Sequence, residues 1–237
     1  RECRGTFAMA LPGNPAQAPA GLRGFDTQRL ITETSAQAYY DQGYRCCIRY
    51  LSRDADLRAG HARNGTPDLS EAEGLAILGA GMALMAVQHP PAPGWSPTEA
   101  LGTTWGANAA AYAADAGIPA GVNIWLDLEG IALATAHADI IAYANAWFAA
   151  VAAAGFVPGV YVGYDVLLSP DELYHALETE HYWRACGDIP DISVRGYQLR
   201  QTCLNIGKPD EFDYDDTQTD ALGGRVIWLT TNPALAL

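Results

Sequence analysis

The sequence predicts an α/β fold, a (β/α)8 barrel of TIM-like type in a single domain, on three observations. Helical and strand-like patterns alternate along the chain, which favours a parallel sheet with helices packed outside it. About eight short apolar segments fall within 237 residues, a length that suits a compact barrel. The first of them runs into Asp26-Thr27-Gln28-Arg29, with no glycine until Gly43. An open doubly wound sheet would normally carry a glycine-rich phosphate loop at that point.

Residues 1–21 are rich in Pro, Ala and Gly and lack periodicity, so they read as an arm or linker ahead of a barrel over 22–237. Gly21–Thr27 is a first short strand ending in an acid. Thr34-Ser35-Ala36-Gln37 matches a capping box whose helix stops near Gly43. Tyr44–Leu51 is the second strand and carries Arg49. Residues 52–69 form a long polar loop after a strand, where a barrel keeps its substrate loops. Ser70-Glu71-Ala72-Glu73 is another capping box, with a helix to about Gly79–Gly81, and Met82–Gln88 is the third strand. His89–Trp95 is a proline-rich loop with an aromatic tip. Ser96-Pro97-Thr98-Glu99 opens the next helix, with Pro97 at N1.

A fourth, acidic strand lies at Asn123–Gly130, and Thr135 caps a long helix up to Gly155. Pro158–Tyr164 is a fifth strand, and Ser169-Pro170-Asp171-Glu172 caps a short helix. His181–Cys186 is the sixth strand and Arg195–Thr202 the seventh. Glu211–Asp215 is the eighth, although Asp is a poor strand former. Ile227–Leu229 is a closing segment against the barrel wall.

Nearly half the residues are apolar (49%) and 17% are charged, which describes a globular protein with a sizeable core. The net charge of -13 argues against nucleic acid and against anionic lipid, but not against a neutral polysaccharide. No apolar run is long enough to span a bilayer, and no signal peptide is visible. The cysteines are Cys3, Cys46, Cys47, Cys186 and Cys203, an odd number. None has zinc spacing or an evident histidine partner. They read as buried thiols, with a Cys186–Cys203 disulfide possible between the ends of two late strands.

Chemistry centres on Asn123-Ile124-Trp125-Leu126-Asp127-Leu128-Glu129-Gly130. In a strand, alternate residues share a face, so Trp125, Asp127 and Glu129 point one way and Ile124, Leu126 and Leu128 the other. Cβ atoms at this spacing lie roughly 6–7 Å apart. That permits paired acid–base work on a sugar without separating retaining from inverting geometry. The same pattern also describes a strand that runs into a solvated acidic loop.

Barrels place reactive groups at the C-terminal ends of their strands. The candidates there are Asp26, Arg49, Gln88, Asp127 with Glu129, Tyr164, Trp183, Gln198 and Asp213 or Asp215. Gathered acids raise one another's pKa values, which keeps one carboxyl protonated beside an ionised neighbour. Tyr and Trp at the rim could stack on sugar faces. Trp95 and Trp183 equally suit packing, and Asp213, Asp215 and Asp216 equally suit a solvated loop. The acids could bind a divalent cation, but no EF-hand-like pattern is present, and neither metal nor cofactor is expected. His61, His89, His137, His175 and His181 share no motif and read as surface or packing residues.

Gly24-Phe25-Asp26-Thr27, Arg49-Tyr50-Leu51 and Ile124-Trp125-Leu126-Asp127-Leu128-Glu129 resemble the glycoside-hydrolase-like barrel family. That family is related to the family 25 lysozymes, the muramidases that cut bacterial peptidoglycan. Gly159-Val160-Tyr161, Trp183-Arg184-Ala185, Tyr197-Gln198 and Phe212-Asp213 follow in similar order, so the resemblance covers residues 22 to 230. It implies a β/α barrel with Glu129 as general acid and with Asp26, Asp127 and Asp213 lining the pocket. It also implies that Asp127 orients a substrate N-acetyl group acting as nucleophile, an exception to the two-carboxylate scheme. Glu129 stands where family members often carry Asp, which is closer to the lysozymes. Arg49 matches the glycoside-hydrolase-like branch instead.

Two functions from different classes follow. One is a secreted or cell-envelope glycosidase acting on peptidoglycan glycan. Its catalytic residues are Glu129, Asp127 and Asp26, and Arg49, Tyr164, Trp183, Gln198 and Asp213 bind substrate. The other is a catalytically silent barrel that binds glycan or a partner protein. A metal-dependent phosphoesterase is a weaker third reading. The sequence does not state an oligomeric state.

Overall fold

Strands form where β-branched and aromatic residues run between glycine-capped helices, and the parallel strands of the barrel end in loops on the same side of the molecule. The computed structural model describes residues 10–54, 62–63, 66–203 and 212–237. Cys3, His61 and Glu211 lie outside the described residues. In chain order the first elements are β1 (Asn14–Gln17), β2 (Arg23–Thr27), α1 (Glu33–Asp41) and β3 (Cys46–Leu51). A small ribbon of β4 (Ala62–Arg63) and β5 (Thr66–Pro67) follows in the long loop. Next come α2 (Glu71–Gly79), β6 (Ala83–Gln88), α3 (Glu99–Asp115), β7 (Asn123–Leu128), α4 (His137–Ala153) and β8 (Val157–Val162). The last are α5 (Pro170–His175), β9 (Tyr182–Arg184), β10 (Leu199–Thr202), β11 (Asp213–Thr217) and β12 (Ile227–Thr230).

Strands β2, β3, β6, β7, β8, β9 and β10 are parallel neighbours in that order. β11 closes the circle between β10 and β2, and the result is the expected α/β barrel in one domain. One strand departs from the all-parallel expectation, because β11 is antiparallel to both neighbours. Residues 203–212 separate it from β10, too short a stretch for the crossover that parallel neighbours need.

The expected arm also contributes structure. β1 pairs antiparallel with β12, and β12 joins the start of β6 through Leu229 and Leu84. β1 lies at the end of the sheet order, an edge position where Pro15 and its missing N–H are tolerated.

Several helix starts differ from the sequence reading. Thr32, not Thr34, is the first N-cap, in a capping box with Ser35. Thr98 rather than Ser96 caps α3, and Ala136 precedes α4 without a side-chain cap. Ser70 caps α2 alone, because Glu73 is turned elsewhere. Ser169 and Glu172 do form the expected box on α5.

The core lies between the barrel wall and its helices. Ile124, Leu126 and Leu128 face outward and are buried, and each such side chain contributes about 1.5–3 kcal/mol. α3 and α4 meet at their backbones: a Cβ on Gly102 would stand 2.1 Å from the Tyr143 carbonyl oxygen. Gln88 also turns outward. It donates to the Ser52 and Trp105 carbonyls and accepts from the Trp147 indole, so it ties β6 to the helical layer. Cys186 and Cys203 form a disulfide, while Cys46 and Cys47 are buried free thiols. Among the described residues no helix is long and apolar enough to cross a membrane.

Candidate functional site

Register decides which side chains enter the barrel. Asp127 lies opposite Tyr161, which lies opposite Trp183. Asp26 lies opposite Asp213, and Asp215 opposite both Gly24 and Gln201. These residues share the inner face with Trp125 and Tyr50. Aromatic rings fill the interior between the acids: Trp125 and Trp183 sit 5.8 Å apart and Tyr161 and Trp183 4.6 Å, all edge to face.

Four carboxylates expected in the site influence one another electrostatically. Asp26 is 3% exposed, and it accepts from the Tyr50 hydroxyl at 3.0 Å and from the Gln201 amide at 3.0 Å. Burial, with the charge of Asp213, pushes it up to about 7 against those hydrogen bonds. Asp127 is also buried, and its Oδ1 has no partner. Burial first, then Glu129 and Asp26, hold it well above the usual carboxylate range, while Arg53 opposes them.

Glu129 follows β7 and is only partly buried, so it reaches the open end of the barrel. Burial and Asp213 push it up to about 7. Its backbone carbonyl accepts from the Trp95 indole at 2.9 Å. Trp95 in turn packs on Trp105 and Tyr143. Asp213 is exposed at the rim. Tyr164 is 47% exposed beside Gly130, and the Glu129 charge acts on its phenol.

Three expected substrate contacts lie elsewhere. Arg49 is fully buried on the outer face of β3, where its Nε meets Glu73 of α2 at 2.6 Å and Nη1 donates to the Thr27 carbonyl. Gln198 is buried just before β10, at the opposite end of the barrel. It bonds the Tyr182 N–H, the Glu180 carbonyl and Asp220. Trp183 is 1% exposed and donates to Asp215 at 2.8 Å, so it supports the acids from within and offers no face to a ligand.

Other residues act on the acids from the barrel interior and its rim. Arg53, two residues beyond β3, acts on Asp127 and lies over the Trp105 ring at 5.0 Å. Gln201, three residues after Gln198, holds Asp26 and accepts from Tyr161 and the Cys186 N–H. His89, paired with Asp68 at 2.8 Å, stacks on Tyr50 with centroids 4.6 Å apart. Tyr50 could have been found as the last inward position of its strand.

The arrangement gathers carboxyls raised by burial and by one another's charge, one of which, Glu129, reaches solvent. That suits proton donation to a bound oxygen.

A family model described as Rv2525c-like, glycoside hydrolase-like domain matches residues 37–202. Among solved structures, the Tat-secreted protein Rv2525c of Mycobacterium tuberculosis, in complex with L-tartrate, is similar at TM-score 0.62 and 16% identity, over 84% of this chain and 96% of that one. An uncharacterized B. stearothermophilus protein gives 0.60 and 16%, with the same coverage. A muramidase from Acremonium alcalophilum gives 0.52 and 13%, over 85% of this chain and 95% of that one. No curated protein matches the sequence.

Proposed function

The chain belongs to the Rv2525c-like, glycoside hydrolase-like domain family, and from that premise we propose that it hydrolyses a glycan of the bacterial cell wall, peptidoglycan above all. The observation that carries this reading is the pair on β7. Glu129 reaches the barrel mouth with its carboxyl raised to about 7, and Asp127 lies two residues deeper on the same face with an unpartnered oxygen.

Glu129 would protonate the leaving glycosidic oxygen, because it is the member of the pair that reaches solvent. The Asp127 carboxylate would face the positive charge that develops on the sugar, or take the N–H of an N-acetyl group and orient it. Asp26 and Asp213 set the field around both. Tyr164 flanks the ring bound against Glu129. The fold similarity to the Acremonium alcalophilum muramidase supports a sugar substrate, though fold alone does not fix activity. The Cys186–Cys203 disulfide supports an oxidising, extracytoplasmic location.

The test is release of new reducing ends from purified cell walls. Wild type should release them, and Glu129→Gln should lose turnover by at least about 100-fold while still sedimenting with the walls. Binding by wild type without new reducing ends would instead make the barrel a silent glycan-binding module.

A further inference from the structure

Asp26 and Asp215 are buried together on the inner wall. Asp215 stands opposite Gly24 on β2, two residues before Asp26 on the same face. It also stands opposite Gln201, whose side chain reaches Asp26. The donors around the two carboxyls can be assigned one by one. Gln201 Oε1 accepts from the Tyr161 hydroxyl and the Cys186 N–H, so its NH2 is the end that donates to Asp26 Oδ2. The Tyr50 hydroxyl lies 3.0 Å from Asp26 Oδ1. The Trp183 indole N–H can only donate, and it fixes Asp215 Oδ1 as an acceptor. Asp215 Oδ2 is buried and no donor group reaches it.

We infer that Asp215 carries a proton on Oδ2 and is the neutral member of a carboxyl–carboxylate pair whose ionised member is Asp26. A charged Asp215 would place a second buried negative charge beside the first. The titratable groups acting on it among the described residues are Asp26 of β2, Cys46 and Cys47 of β3, Tyr161 of β8 and Asp213 of its own strand, and none is a cation. Burial pushes Asp215 well above the usual range, and a hydrogen bond shared with Asp26 raises it further while lowering Asp26. Asp215 is thereby a positioning residue. The pair stands on the shared inner face of β2 and β11 and on the donor-free Oδ2 of Asp215, whereas its use, one negative charge on Asp26 facing the reacting sugar, rests on the proposed hydrolysis.

The test is a carbon-13 carboxyl titration of the wild-type protein, with the two signals assigned by their loss in Asp26→Asn and Asp215→Asn. At about pH 8 Asp26 should resonate as a carboxylate and Asp215 still as an acid, although an ordinary Asp ionises near about 3.9. Ionisation of Asp215 before Asp26, or of both by about pH 5, overturns the pair.

Stability gives a second reading that needs no turnover. A carboxyl raised in the folded state costs nothing below its unfolded value of about 3.9 and destabilises progressively as pH rises above it. Asp215→Asn should therefore gain stability relative to wild type from about pH 4 to pH 8. The opposite trend overturns the pair.

In the cell-wall assay Asp215→Asn retains a donor for Asp26 and should keep the wild-type pH profile. Asp215→Leu lacks one and should lose activity by about tenfold, one unit in the Asp26 pKa. Equal behaviour of the two variants overturns the positioning role. A wild-type protein that titrates as described but releases no reducing ends would sink the proposed hydrolysis and leave the pair standing.

Discussion

Gly163 lies against Glu129: a Cβ on residue 163 would stand 2.3 Å from Glu129 Cβ and 2.6 Å from its Oε2. The glycine follows β8, and its N–H donates to the Leu128 carbonyl at 3.1 Å, so the backbone there is tied to β7. A methyl group has nowhere to go except into the space of the carboxylate. Gly163→Ala should push Glu129 aside and lower the rate of reducing-end release by about 100-fold, the cost of misplacing a reacting group by an ångström or so. The circular dichroism spectrum should stay unchanged. Wild-type turnover in Gly163→Ala would show that the position of Glu129 does not matter.

The pH profile carries its own sign. A general acid works in its protonated form, so activity should fall as pH rises through about 7, where burial and then Asp213 have placed Glu129. Asp213→Asn removes the second of those causes and leaves the first. Taking away a nearby negative charge makes ionisation easier, so the falling limb should move to lower pH. Initial rates over a pH series for both proteins check this, and a limb that moves to higher pH would contradict it.

The barrel and the inner face of β7 were legible because their signals are local. Alternation of helix and strand gives the class, and parity within Trp125-Leu126-Asp127-Leu128-Glu129 gives the face. Arg49 stands one residue short of the inward position, and the sequence hides this for a physical reason. β3 reads Cys-Cys-Ile-Arg-Tyr-Leu and is buried on both sides, so it lacks the apolar–polar alternation that tells inside from outside. Tyr50 points inward and Arg49 outward.

Gln198 and Gln201 show the boundary problem. The seventh strand starts at Leu199, four residues later than Arg195, which puts Gln198 at the far end of the barrel and Gln201 beside Asp26. Asp213 and Asp215 share a face and differ in depth. Depth depends on the antiparallel register of β11, which no local pattern encodes. The helix starts slipped by two residues because Thr32-Glu33-Thr34-Ser35 and Ser96-Pro97-Thr98 each offer more than one hydroxyl as a cap.

Removing the Arg49 guanidinium tests whether that residue is structural. Its Nε and Nη2 meet the two Glu73 oxygens at 2.6 and 3.3 Å, and both side chains are fully buried. Glu73 Oε1 also accepts the Ile31 N–H at 2.7 Å, so the pair joins β3, α2 and the segment before α1. Arg49→Met keeps the length and apolar stem but leaves Glu73 as an uncompensated buried charge. Breaking such a pair from one side costs about 3–5 kcal/mol, whereas replacing both partners by apolar groups is often nearly neutral. Arg49→Met should therefore lower the urea midpoint sharply, and Arg49→Met with Glu73→Leu should recover much of the loss, with KM unchanged in whatever fraction remains folded. A substrate-binding arginine would give the reverse, a raised KM at wild-type stability, and that result would return Arg49 to the site.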